Sequence, residues 1–163
     1  MSTGQAVSGV TATALAAHRF LHGMPGEQLA DLAPTARLVG LSAGRRLFED
    51  GGHASNFWLI RSGSIALDLH IPRSGVIVIE TLGMGDALGW SWLLPSPVWS
   101  LGATVVQPTE AFQFDAPAVR ALCDAEPELG YELTRRFLGV AAGHLLAARA
   151  RLLDRYVPAR SWP

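Results

Sequence analysis

The spacing of apolar positions changes twice along this chain. Between Phe20 and Ala33, Leu29 and Leu32 recur at helical spacing, with Pro25-Gly26 before them and Pro34 after them. That predicts a short helix over Glu27–Ala33. From Arg37 the apolar residues fall into short β-prone runs: Arg37–Leu41, Arg46–Glu49, Phe57–Arg61, Ser64–Ile71, Val76–Leu82, Ala103–Gln107 and Ala111–Phe114. Gly44, Gly51-Gly52, Gly63, Pro72, Gly75 and Pro108 separate them. Short strands punctuated in this way predict an all-β barrel or jelly roll.

Helical spacing returns near the end. Asp115 can cap a short helix through Cys123, with Pro117 in its first turn. A long helix is predicted from Pro127 to about Tyr156. Glu126 and Glu128 stand at its start and Arg149, Arg151 and Arg155 near its end, which suits the helix dipole. Its apolar positions make more than one stripe: Leu129, Leu133, Phe137, Val140 and Leu152, but also Leu138, Ala142, Leu145, Leu146 and Leu153. An arc that wide is expected to be buried twice, once on the barrel and once on a partner. Ala141 and Ala148 would let a second helix approach closely. The expected interface is Leu133, Phe137, Val140, Ala141, Leu145, Ala148 and Leu152, facing a homodimer mate or another protein. The plainer alternative is the alanine-rich helix of a monomer.

Composition narrows the classes. With 163 residues, 49 % hydrophobic and 17 % charged, the chain suits one globular domain with a core. Residues 1–17 are expected to be a disordered lead-in, although Thr13–Phe20 can begin a helix. Residues 18–156 then form the domain and 157–163 a short tail. A net charge of −1 gives no field for nucleic acid or acidic membrane. The single cysteine, Cys123, excludes an internal disulfide and a cysteine-rich zinc or iron–sulfur site. No basic lead precedes an apolar segment, and no apolar run approaches the roughly 20 residues that span a bilayer. A cytoplasmic location without membrane contact is the expectation.

The stretch Leu82–Val105 concentrates the candidate chemistry. It holds a Gly-Asp turn (Gly83, Gly85, Asp86), a Leu88-Gly89 step into an apolar segment, and a return strand from Gly102 through Ala103 and Thr104. A glycine step into a helical turn exposes backbone N–H groups that can hold an anion. Yet the stretch has no basic residue, and it carries three of the five tryptophans, Trp90, Trp92 and Trp99.

The order of short helix, β roll and long helix resembles the cyclic-nucleotide-binding domain family, the sensor module of catabolite-activator and FNR-type regulators. The resemblance rests on FLHGMPGEQLADLA (Phe20–Ala33), LSAGRRLFEDGGHASNFWLIRSGSIAL (Leu41–Leu67), LGMGDALG (Leu82–Gly89) and AEPELGYELTRRFLGV (Ala125–Val140). It implies a mainly β fold with flanking α-helices: a jelly roll (double-stranded β-helix) with a short N-terminal helix and a long C-terminal helix of the dimerisation type. It makes Leu82–Val105 the phosphate cassette. The candidate pocket is then Gly83, Gly85, Asp86, Leu88, Gly89, Trp90, Ser91, Trp92, Leu101, Gly102, Ala103 and Thr104.

Two departures change what the resemblance implies. The family usually has Glu after the cassette glycine, accepting from the ribose hydroxyl, and an Arg before the return strand that neutralises the cyclic phosphate. Here those places hold Trp90 and Leu101. A buried phosphate without a cation lacks its charge-assisted hydrogen bonds, so tight binding of cAMP or cGMP is not expected. Trp90 and Trp92 either line a pocket for a flat or apolar ligand or fill the old one; filling is the favoured reading, and Trp99 is free to face a partner. The helix-turn-helix domain that follows the long helix in the family's transcription factors has no counterpart in Val157–Pro163, so direct DNA binding is not expected.

The expected function is a non-enzymatic sensor or regulatory module acting through its long helix. The alternatives are a cAMP receptor relying on backbone contacts and a protein-interaction subunit with an occluded pocket. Ser91 lacks the second glycine of a nucleophile elbow. Asp68 and Glu80 suggest an exposed sheet face, and Arg45-Arg46 beside Glu49-Asp50 a surface charge cluster of small worth. The five histidines suggest no metal or cofactor site; one branch of the family binds haem through histidine, but for His70 and His144 a surface or hydrogen-bonded role is the preferred reading.

Overall fold

The computed structural model of this chain describes residues 9–156. The expectations for residues 1–8 and for the tail at 157–163 fall outside the described residues.

The lead-in is ordered from residue 9. Thr11 accepts from the Ala14 N–H and caps α1 (Ala12–Ala16), which buries Leu15 completely. Expected disorder up to residue 17 is therefore corrected for this part: Leu15 enters the core, and Val10, Ala12 and Ala14 pack against it. A 3-10 turn at Arg19–Leu21 leads to α2 (Gly26–Leu32), whose Leu29 and Leu32 enter the core as their spacing predicts.

Among the described residues six strands form the antiparallel jelly roll: β1 (Ala36–Leu41), β2 (Arg46–Phe48), β3 (Asn56–Ile71), β4 (Gly75–Leu82), β5 (Ala87–Leu88) and β6 (Gly102–Asp115). The main path runs β1-β6-β3-β4, with β2 added on β6 and β5 on β3. Two of the predicted breaks do not end strands. β3 runs through Gly63 and β6 through Pro108, each joining two expected runs. The register between them shifts around Ser62–Ile65, so the sheet bends without breaking. Gly63 sits at φ 90°, and a Cβ there would lie 2.4 Å from the Pro108 carbonyl oxygen. Only glycine permits that crossing.

The roll has two packed faces. Phe57 and Phe114 stack at 4.5 Å on the outer face, where Phe137 of the long helix meets Phe57 edge-on at 5.1 Å. Trp58, one residue along, turns inward toward Phe48 and Trp99. Asp115 caps α3 (Ala116–Ala125), and α4 (Pro127–Tyr156) closes the fold. Leu129, Leu133 and Phe137 of α4 are buried in this chain's own core. The expected assignment of Leu133 and Phe137 to a partner interface is corrected, because they sit on the stripe that packs on the outer face. Val140 is half-buried against the same core.

Candidate functional site

The cassette begins as a tightly bonded turn. Asp86 Oδ2 accepts from the Gly83 N–H at 2.8 Å, and Arg19 donates to Oδ1 at 2.8 Å. The Gly85 N–H donates to Ile60 O at 2.9 Å, and the Ile60 N–H to Asp86 O at 2.9 Å. His18 Nε2 also donates to Ile60 O, at 2.8 Å, while Nδ1 accepts from the Phe20 N–H at 3.2 Å. Both ring nitrogens are thus used in the neutral form. Burial lowers the His18 pKa, against the opposing pull of the Ile60 carbonyl. Gly83, Gly85 and Asp86 shape this turn beneath the N-terminal segment and do not line the cavity that follows.

β5 then pairs with Trp58 and Leu59, and Gly89 at φ 98° turns the chain into a 3-10 turn over Trp90–Leu93. Leu88–Leu94 is therefore strand, turn and one helical turn. Trp92 points to the outer face: it is fully buried, stacks on Phe57 at 5.0 Å and meets Phe137 edge-on at 5.6 Å. Its carbonyl accepts from Arg120 of α3, while its indole N–H has no partner. Trp92 joins the cassette to α4 and does not line the space left under the cassette.

Trp99 takes the inner position instead. Its N–H donates to Gly52 O and its carbonyl accepts from the Gly51 N–H, both at 2.8 Å. These two bonds seat the ring on Phe48 at 3.8 Å and 13°, with Trp58 beyond at 6.1 Å. A Cβ at Gly89 would lie 2.8 Å from Trp99 Cη2, so glycine is required for the ring to fit. Trp99 is 5 % exposed, which corrects the expectation that it faces a partner.

What remains between the cassette and the roll is a cavity of about 20 Å³, room for one water molecule. Leu88, Gly89, Trp90, Ser91 and Leu101 of the expected set line it. Phe48, Leu67, Ser100 and His144 line it too and had no local signal, since β2, β3 and α4 bring them in from elsewhere. His144, on α4, lies 3.6 Å from Glu80 of β4. Among the described residues no arginine or lysine borders this space.

The expected surface charge cluster is in part an interior one. Arg46 forks onto buried Asp68, the shorter contact being to Oδ2, and donates to Thr104 Oγ1 at 2.8 Å. Its other edge forks onto Glu49 at 2.9 and 2.8 Å. These carboxylates raise the Arg46 pKa, and Arg46 lowers that of Glu49. Gly102 is covered by this guanidinium, Ala103 is buried, and Thr104 is a ligand of Arg46, and none of the three lines the space under the cassette. Asp68 is buried, which contradicts its expected exposure: the Arg46 guanidinium lies over its carboxylate. Among the described residues no group of His, Cys, Asp and Glu could hold a metal ion.

These features define a helix-capped jelly roll: a sheet cage, a glycine cassette over its mouth and a helix laid across the cassette. The sequence matches the family model of the cyclic nucleotide-binding domain over residues 38–126, more than half the chain, and the protein belongs to that family. Solved structures agree in fold. A putative cyclic nucleotide-binding protein from Geobacter metallireducens GS-15 superimposes with a TM-score of 0.75 at 19 % identity, over 83 % of this chain and 98 % of that one. The catabolite activator protein of Thermus thermophilus gives 0.62 at 22 % identity, over 85 % of this chain and 61 % of its own. A cAMP-binding acyltransferase from Mycobacterium smegmatis gives 0.61 at 25 % identity, over 76 % of this chain and 38 % of that one. No curated protein matches the sequence. No helix among the described residues is long and apolar enough to cross a membrane.

Proposed function

We propose that this chain is a non-enzymatic regulatory module whose cassette pocket is closed by its own side chains and which acts through the outer side of α4. The observation that carries this reading is Trp99 seated on Phe48 inside the roll, leaving about 20 Å³ with no cation on its walls. A cyclic nucleotide would need hundreds of cubic ångströms and a partner for its phosphate. Trp90 and Leu101, both on those walls, supply neither.

The outer side of α4 is built for a second helix. Leu138, Leu145 and Leu152 are seven residues apart and 66 %, 69 % and 57 % exposed. A seven-residue repeat of leucine is the seam of a helix pair, and Ala141 and Ala148 fall between as small spacers. At about 100° per residue this stripe lies well round the helix from Leu133 and Phe137. We assign the seam to a homodimer mate, in a cytoplasmic regulator, with a different partner protein as the other occupant.

Titration of the protein with cAMP and cGMP, followed by tryptophan fluorescence and melting temperature, tests the closed pocket. Flat responses are expected; saturable micromolar binding of cAMP overturns it. Trp90→Glu with Leu101→Arg is expected to leave affinity low, because Trp99 still fills the space, whereas adding Trp99→Ala should raise it.

A further inference from the structure

Phe48 and Trp99 border two cavities. Behind the closed one lies a cleft of about 340 Å³, lined by Trp58, Arg37, Arg45, Asn56 and Gln113 among others. We propose that this cleft, and not the cassette, is a ligand site, and that it takes a small organic anion with a ring-shaped body.

The sheet register assembles the site. Arg37 on β1 lies directly opposite Gln113 on β6, and Gln113 directly opposite Trp58 on β3. Directly paired residues share a face, so guanidinium, amide and indole stand in one row across three strands. The polar groups are ordered by their own bonds. Trp58 Nε1 donates to Gln113 Oε1 at 3.1 Å, Gln113 Nε2 to Asn56 Oδ1 at 3.3 Å, and Asn56 Nδ2 to Ser55 Oγ at 3.1 Å. Each amide nitrogen keeps a second hydrogen.

The charge at the rim sets the class of ligand. Arg37 and Arg45 make no ion pair among the described residues. Glu49, the acid on the rim, is already forked by Arg46. A second groove, of about 370 Å³ under α1, shows the contrast. Its two arginines are each neutralised, Arg19 by Asp86 at 2.8 Å and Arg61 by Glu110 at 2.7 Å. The cleft behind Trp99 thus offers two free guanidiniums, spare amide donors and an aromatic floor. Such a set favours a carboxylate or phosphate carried on a flat ring. The volume suits a ligand of nucleoside monophosphate or aromatic acid size. The site does not depend on what α4 binds.

The test uses the full chain with 5′-AMP, indole-3-acetate, neutral indole-3-acetamide and inorganic phosphate, read by calorimetry and by quenching of tryptophan fluorescence. At least one ring anion should bind saturably. It should bind about tenfold or more weaker in Arg37→Ala with Arg45→Ala, the loss expected when charge-assisted hydrogen bonds are removed. The melting temperature should not change, since both side chains are exposed. Failure of both ring anions to bind overturns the proposal, as does equal affinity for the neutral amide or for phosphate alone. Binding that survives the double arginine variant but is lost in Trp90→Ala also overturns it, and places the ligand in the cassette instead.

Discussion

Trp92 and Trp99 stand seven residues apart in one cassette and face opposite sides of it. Trp92 looks outward, between Phe57 and the Phe137 of α4. Trp99 looks inward, onto Phe48, under the cassette. One ring fastens the cassette to the helix and the other fills the roll beneath it. The difference shows that one residue type serves two packing roles in one loop: Trp92 packs against α4 and Trp99 against β2. On the closed-pocket proposal, Trp99 makes the stacking contacts that a ligand ring would otherwise provide.

The largest effect should come from Trp92→Ala. Removing a fully buried indole from an aromatic cluster costs about 3–5 kcal/mol, read as a lower urea midpoint. Trp99→Ala should cost less than Trp92→Ala, because cavities on both sides let water into the vacated space. Equal losses, or the reverse order, would break the distinction between the two rings.

Gly89→Ala comes next. A side chain at φ 98° is strained by about 1–3 kcal/mol, and here its Cβ would also strike Trp99. In a Trp99→Ala background the clash vanishes and only the strain remains. A double-mutant cycle should therefore show the second change costing less than it does alone. Additive losses would mean that Gly89 and Trp99 do not touch.

A smaller effect is expected from acid. The pKa of His18 is lowered in the folded chain, so below the ordinary histidine value near 6.5 the unfolded chain binds the extra proton. Stability is then full above that value and falls as pH drops below it, with a slope of at most about 1.4 kcal/mol per pH unit for one proton. The loss should begin at the cassette turn, because His18 and Gly85 share the Ile60 carbonyl. His18→Gln should flatten the profile between pH 6.5 and 5; an unchanged profile would remove His18 from the account.

The smallest change in stability belongs to Leu145→Lys with Leu152→Lys, within about 0.5 kcal/mol per site for the isolated chain, since both are exposed. The same change should halve the mass measured by light scattering at high concentration. A parent chain that is monomeric there would remove the helix seam.

Much of the fold was legible because period and punctuation are local properties. Helical spacing at Leu29 and Leu32, the Asp115 cap and the long run from Pro127 each predict an element that forms. The strand breaks at Gly63 and Pro108 were misread because turn residues look the same whether they end a strand or bend it. Which of the two happens depends on a neighbour: here β3 and β6 bend together at one crossing.

The candidate site divides in the same way. The sequence by itself determined the cassette turn, the glycine step and the absence of its acid and cation, since these are residue identities at set positions. Tertiary structure decided which way each tryptophan faces, that Arg46 reaches Asp68, and that Arg37, Gln113 and Trp58 share one row. The physical reason is that side-chain direction in a sheet depends on parity and register. A single bulge reverses the first, and a partner strand many residues away sets the second. Leu133 and Leu145 show the same for the helix: period marks both as apolar, and only the packed sheet tells which one this chain buries itself.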